Sequence, residues 1–367
     1  MQQFEPIHAQ RLAALRIAVE RKQQFDSIAE LRRIKRMTVL SHLLEFTCAT
    51  AKNLLILLDQ KNNAVLSQMA KDGLIRIARW QNAQVYVPTA SGKAWLLAAL
   101  EDAQEIERVR STPVRRKITG VSSEHDLGLQ NAAIKFAVRH GQKTGRNWRV
   151  FKPRKQQVEG KVPDAMVVFT RPGEVYAERI AIEYERTRKT PVGVVASLSR
   201  LIDFLCLDEG DEVRVFSQSP GIVCDYLAAR IAVASEDDGG LGMDMPRVEM
   251  LRTGAVPVAA LGAGGRLSDH QLGAASRIRI GLVDAEGQAV PASGLIEQAL
   301  FNRVFWQISL YQSQPVTWQE VARRAADALD LDAARLLRAF GGPHGEDNPM
   351  RSADDRERAA ARWAQPS

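Results

Sequence analysis

The sequence predicts an α/β chain of several domains: a basic helical head carrying a two-stranded hairpin, an α/β core, and a mixed α/β, mostly helical C-terminal region. Three observations predict this. Helix periods with cap signals alternate with short strands between residues 37 and 102. Residues 121–234 read α-β-β-β-α-β-α. Charge is split, with net +8 over residues 1–120, +6 over 121–190 and −7 over 191–367, for a total of +7. A basic first half and an acidic second half suit a polyanion docked on the first half.

The 367 residues suffice for two or three domains, and 45% hydrophobic with 25% charged content is ordinary for a globular protein. No apolar run approaches the roughly 20 residues that span a bilayer, and Met1 to Pro6 lacks the head of a secretory signal. The expectation is a cytoplasmic protein without membrane contact. Cys48, Cys206 and Cys224 stand far apart in apolar surroundings and read as reduced core residues.

Residues 9–36 are helical in pattern and polar, either a solvated helix or a basic arm. An apolar helix over Val39 to Phe46 and a second over Ala51 to Leu58 follow. Gln60-Lys61-Asn62-Asn63 is a start signal for a third helix, Ala64 to Asp72, which Gly73 closes. Two short strands, Leu74 to Arg79 and Gln84 to Pro88, precede a helix over Lys93 to Leu100. Three helices, a two-stranded wing and a closing helix make a winged helix-turn-helix. Its third helix offers Asn62, Asn63, Ser67, Gln68 and Lys71 to base edges and phosphates, with Arg79 on the wing. A small helical domain for protein contacts is the plain alternative.

Residues 103–122 read as a linker, helical at its acidic start and basic around Arg115, Arg116 and Lys117; it is solvated or tracks a phosphate backbone. Ser123 caps the next helix, where His125, Leu129, Ala132 and Phe136 share a stripe. His125 is then either a satisfied core-edge residue or part of a site, with Glu124 a neighbouring candidate acid. After a strand at Trp148 to Phe151 come two acidic strands. Asp164 opens the first, and Glu183 and Glu185 close the second. Side chains alternate along a strand, so Glu183 and Glu185 share one face and Tyr184 takes the other. Two close like charges are unfavourable unless a cation joins them, which makes Asp164, Glu183 and Glu185 a candidate divalent-metal site. Solvated acids on an exposed hairpin are the alternative. Further on, helices are expected over 191–207 and 220–234, with strands over 212–217 and 278–283. A Gly- and Asp-rich excursion over 235–277 is expected to hold one strand at 247–251. A helix over 293–311, a helix pair over 317–323 and 332–340, and a polar tail from Gly341 complete the reading.

A helix, Pro163-Asp164, then Glu183-Tyr184-Glu185 with 18 residues between the first acid and the second, resembles the PD-(D/E)xK nuclease core, with Glu185 where Lys is frequent. The fuller order covers roughly residues 35–216. It runs from Tyr86-Val-Pro-Thr-Ala-Ser-Gly92 and the basic linker through Glu124-His125-Asp126-Leu127 and Pro163-Asp164 to Ile182-Glu-Tyr-Glu-Arg-Thr-Arg-Lys189. This order resembles the replication-relaxation family, which includes MobC-type plasmid mobilization relaxases. The resemblance implies duplex DNA as partner, recognised at an origin of transfer. It implies a single-strand cut by water activated on Mg²⁺ or Mn²⁺ held by Asp164, Glu183 and Glu185. Glu185 is then the candidate base, and Lys161, Arg186, Arg188 and Lys189 the backbone contacts. A coupling or accessory mobilization protein, or a second copy of the chain, are further partners it allows. The competing reading is a winged-helix DNA-binding or replication-control protein whose nuclease-like core is degenerate.

Overall fold

The computed structural model describes residues 28–80, 83–114, 120–153, 162–207, 209–233 and 269–290, together with Asp327. It is mixed α/β, and the chain divides into two compact units. The first comprises Met1–Pro153, Pro163–Tyr184 and Ala285–Gln288; the second comprises Arg154–Val162, Glu185–Asp284 and Ala289–Ser367.

The first unit begins with α1 (Ile28–Phe46), β1 (Ala49–Thr50), α2 (Ala51–Leu58), α3 (Ala64–Lys71), β2 (Ile75–Trp80), β3 (Ala83–Pro88) and α4 (Ala90–Ala99). The order and bounds follow the expected pattern closely, with two differences: a short strand, β1, joins the expected pair, and the chain starts differently. The polar and apolar stretches expected as separate helices are one helix of 19 residues, because no Gly or Pro interrupts Ile28 to Phe46. Met37, Leu40, Leu43 and Leu44 bury its second half against Leu54, Leu66, Met69 and Leu96. The strands form an antiparallel sheet in the order β1-β3-β2, with Ile77 opposite Tyr86. Local chemistry explains the joints. Thr50 caps α2 by accepting from the Asn53 amide, and Asp59 ends it in a left-handed conformation. Thr89 caps α4 by accepting from Gly92 N and also donates to the Gly73 and Leu74 carbonyls. Gly92 has to be glycine, because a methyl there would collide with the Leu74 carbonyl oxygen.

Residues 103–111, expected as the start of a linker, form a packed helix, α5 (Ala103–Ser111), with Val109 buried. Arg108 pairs with Glu45 and Glu105, and Arg149 approaches the same two acids at 3.5 and 3.7 Å. Arg149 is 7% exposed, so the pairing offsets part of the cost of burying its charge. Next come α6 (Gly120–Thr144) and the antiparallel strands β4 (Asn147–Phe151), β5 (Ala165–Thr170) and β6 (Glu178–Tyr184). Head and acidic hairpin therefore share one compact unit. A buried polar pair ties them: His42 on α1 donates from Nε2 to Gln130 Oε1 on α6 at 2.8 Å. Gln130 Nε2 donates to the carbonyls of Cys48 and Asp126, which fixes its amide orientation and hence the His42 tautomer. The turn after β8 also joins this unit, where Asn131 Nδ2 donates to Ala285 O and Gly287 (φ +77) lies against the Asn131 backbone.

The second unit holds α7 (Pro191–Cys206), β7 (Glu212–Ser217), α8 (Pro220–Val233), α9 (Asp269–Ser276) and β8 (Ile278–Leu282). Thr190 caps α7 by accepting from Gly193 N, with Pro191 in the first turn. β7 and β8 are parallel, from Val213 opposite Ile278 to Ser217 opposite Leu282, and helices α8 and α9 lie between them in the chain. Leu198, Leu201, Ile222, Val223 and Leu227 form buried layers of α7 and α8. Helix α9 falls in the stretch read as a Gly-rich excursion. The N-terminal arm before residue 28, the strand expected at 247–251, the helices expected over 293–311, 317–323 and 332–340, and the tail from Gly341 lie outside the described residues.

Candidate functional site

Helix α3 presents its polar residues outward. Asn62, Asn63, Ser67, Gln68 and Lys71 are all exposed, while Leu66 and Met69 anchor the other face. Asn62 Oδ1 accepts from Ala64 N at 3.2 Å and so closes the turn into the helix. Gln68 Nε2 donates to Asp72 Oδ1 at 2.7 Å. Beside α3 the β2–β3 hairpin exposes Arg76, Ile77 and Arg79. Arg115, Arg116 and Lys161, the other expected backbone contacts of this half, lie outside the described residues.

The acidic end of the first unit forms around the Tyr184 peptide. Asp164 precedes β5, and its Oδ2 accepts from Tyr184 N at 2.9 Å. His125 on α6 donates from Nε2 to the Tyr184 carbonyl at 2.9 Å, and the same nitrogen lies 3.2 Å from Asp164 Oδ2. Asp164 and His125 thus take the amide N–H and the carbonyl of one residue, Tyr184, at the end of β6. Asp126 Oδ1 stands 3.8 Å from His125 Nδ1 and accepts from Lys152 Nζ at 2.5 Å. Asp126 on one side of the ring and Asp164 on the other push the imidazole up to about 10, against burial, so it is a cation at neutral pH. Tyr184 packs on α6 at Gly128, where any side chain would run into its ring, and lies edge-on to His125 with centroids 5.7 Å apart. Alternation then turns Glu183 to the opposite face of β6, where it is 3% exposed. Tyr184 therefore faces away from Glu183, as expected. Both faces of the strand are covered: Ala181 and Glu183 are buried as well as Ile180, Ile182 and Tyr184. Glu124 is half-buried at the start of the same helix.

Glu185 opens the second unit. Its Oε1 accepts from Tyr226 OH at 2.6 Å and pairs with Lys189. Lys189 Nζ also lies 3.1 Å from Ser197 Oγ and 3.0 Å from Tyr226 OH. Lys189, expected as a backbone contact, thus has Glu185, Ser197 and Tyr226 around its ammonium group. Arg188 Nε donates to Asp225 Oδ2 at 2.8 Å, and Arg186 is exposed.

Carboxylate oxygens are the hard donors that magnesium takes. Among the described residues, however, no group of three or more His, Cys, Asp or Glu side chains gathers where one ion could be held. The donor chemistry fits a divalent cation; the gathering of a third donor does not appear in this arrangement. No helix among the described residues is long and apolar enough to cross a membrane. Sequence reasoning had found His125, Asp164 and Glu183 but not Asp126, Lys152 or Tyr226, which complete the two clusters. Asp126 was visible only as a member of the Glu124-His125-Asp126-Leu127 stretch. No protein-family model matches this chain, and no curated protein or solved structure matches it.

Proposed function

We propose that the chain binds duplex DNA through α3 and the β2–β3 hairpin, and that a nuclease-like core nicks one strand at an origin of transfer. One observation carries the reading. The order α1-β1-α2-α3-β2-β3-α4, with an outward polar α3 beside an outward basic hairpin, supports a winged helix-turn-helix reading. The basic balance of the first 190 residues supports it. For the core, support comes from the α-β-β-β-α-β-α order of residues 120–233 and from Asp164 bonded to the end of the strand that bears Glu183. Mg²⁺ or Mn²⁺ is part of the proposal, with Asp164 and Glu183 as its donors in the first unit. A coupling protein and a second copy of the chain are proposed partners by the family resemblance.

The test is Mg²⁺-dependent nicking of supercoiled plasmid carrying the chain's own mobile-element origin. Wild type is expected to convert it to open circles, and Asp164→Ala and Glu183→Ala to abolish this. Cleavage surviving both substitutions refutes the assigned site.

A second reading has its own observations. Asp164 is engaged by His125 and the Tyr184 amide, and Glu185 by Lys189 and Tyr226, as structural acids are. On this reading the chain is a non-enzymatic DNA-binding regulator with a degenerate core. Calorimetry separates the two: Mn²⁺ uptake lost in Asp164→Ala supports the nuclease, and no uptake by wild type supports the regulator.

A further inference from the structure

The outward face of α3 carries one side chain whose orientation is set by a second helix. Gln68 donates one amide N–H to Asp72 Oδ1 at 2.7 Å, four residues on. The other oxygen of that carboxylate accepts from Arg36 Nη2 on α1 at 2.5 Å. Arg36 is itself held, with its guanidinium 5.9 Å from the centre of the Trp95 ring. Arg36 and Asp72 are only partly exposed, at 24% and 31% of their side chains, whereas Gln68 is on the open face. An isolated Gln–Asp pair four residues apart on a helix is worth only a few tenths of a kcal/mol. Here the acceptor does not wander, because a cation on another helix anchors it.

The consequence lies in what Gln68 has left to offer. With one N–H committed to Asp72, the amide edge presents one acceptor, Oε1, and one donor, the remaining N–H. In the major groove, adenine alone sets an acceptor (N7) beside a donor (N6) on one base. Guanine sets two acceptors side by side, and an amide with only one N–H to give cannot satisfy both. An unrestrained glutamine can rotate and turn its NH₂ toward guanine. The Asp72–Arg36 pair removes that option before binding, so its ordering cost is met in the free protein.

We infer that Gln68, oriented by Asp72 and Arg36, reads an adenine in the major groove, and that Asp72 is the positioning residue that sets this preference without touching DNA. The inference rests on the duplex-reading proposal above and names one base that this reading recognises.

Selection of binding duplexes from a randomised pool by the full chain, followed by dissociation constants for single-base variants of the selected duplex at one fixed salt concentration, tests it. Wild type is expected to require adenine at one position, with guanine there weakening binding roughly tenfold or more. Gln68→Ala is expected to lose that discrimination. Asp72→Ala, or Asp72→Ser if the alanine variant fails to fold, is expected to reduce it to about threefold or less. Binding of an unrelated duplex is unchanged or tighter in the Asp72 variants, because a negative charge beside the phosphates is removed. Adenine discrimination that persists in Gln68→Ala or in the Asp72 variants overturns the inference, as does a wild-type preference with no adenine in it. In either case duplex reading itself still stands. A wild-type chain that binds no duplex overturns both.

Discussion

His42 makes the stability of the first unit depend on pH in a window set by burial. The imidazole is 4% exposed, stacked at 4.6 Å on Phe46 and donating to Gln130. Burial pulls it from 6.5 down to about 4; the Gln130 bond opposes this and the Lys152 charge adds to it. The folded state thus holds His42 neutral where the unfolded chain protonates it. Its contribution is complete above 6.5, falls as pH drops below that value, and is exhausted below about 4. A depression from 6.5 to about 4 corresponds to about 3 kcal/mol in the limit, and to about 2 kcal/mol between about pH 7.5 and about pH 5. The comparison variant is His42→Gln, which keeps a donor for Gln130 and cannot titrate. Urea unfolding of both proteins across that range gives a stability difference in which the other titrating groups cancel. That difference is expected to move against wild type by about 2 kcal/mol toward acid. A difference flat to within about 0.5 kcal/mol, or an NMR titration placing the ring near its ordinary value, refutes the reasoning.

Four further outcomes are expected. Asp164→Ala removes the acceptor for the Tyr184 amide and one of two anionic neighbours of His125; it costs about 1–3 kcal/mol, and NMR sees the imidazole titrate well below 10. In wild type, the His125 contribution runs opposite to that of His42: it is complete below 6.5 and lost as pH rises through about 10. Gly92→Ala places a methyl on the Leu74 carbonyl and forces α4 away from the α3–β2 turn; a fall in thermal midpoint together with weakened duplex binding checks it, and an unchanged midpoint refutes the close approach. Tyr226→Phe removes the hydroxyl shared by Glu185 and Lys189 in a buried setting; urea unfolding is expected to show a loss of about 0.5–1.5 kcal/mol.

The elements were largely legible in the chain because their signals are local. Asn62-Asn63 before α3, Gly73 after it and Thr89 before α4 act within a few residues, and the period of two along a strand assigns its side chains to faces. Tyr184 facing away from Glu183 followed from the same period of two. The reading was less complete where structure depends on what a segment meets. The polar start of α1 could not be joined to its apolar half from periodicity. Residues 103–111 looked like solvated linker because their charges were read without Glu45, which pairs with Arg108, and Arg149, which approaches Glu105, both from other elements. The contact of Lys189 with Tyr226 was not legible because the two stand 37 residues apart.

What the sequence determined by itself, then, is the succession of helices and strands and the identity of the acids that close the hairpin, since period and caps depend on neighbours in the chain. Only the tertiary structure decided that Asp164 and His125 hold the amide and the carbonyl of Tyr184, that Arg36 anchors Asp72 beneath Gln68, and that Tyr226 holds Glu185. Those partners are separated by 59 residues for His125 and Tyr184, 36 for Arg36 and Asp72, and 41 for Glu185 and Tyr226. Hydrogen bonds act over about 3 Å. Such pairs exist only once packing of the apolar faces has brought the elements together.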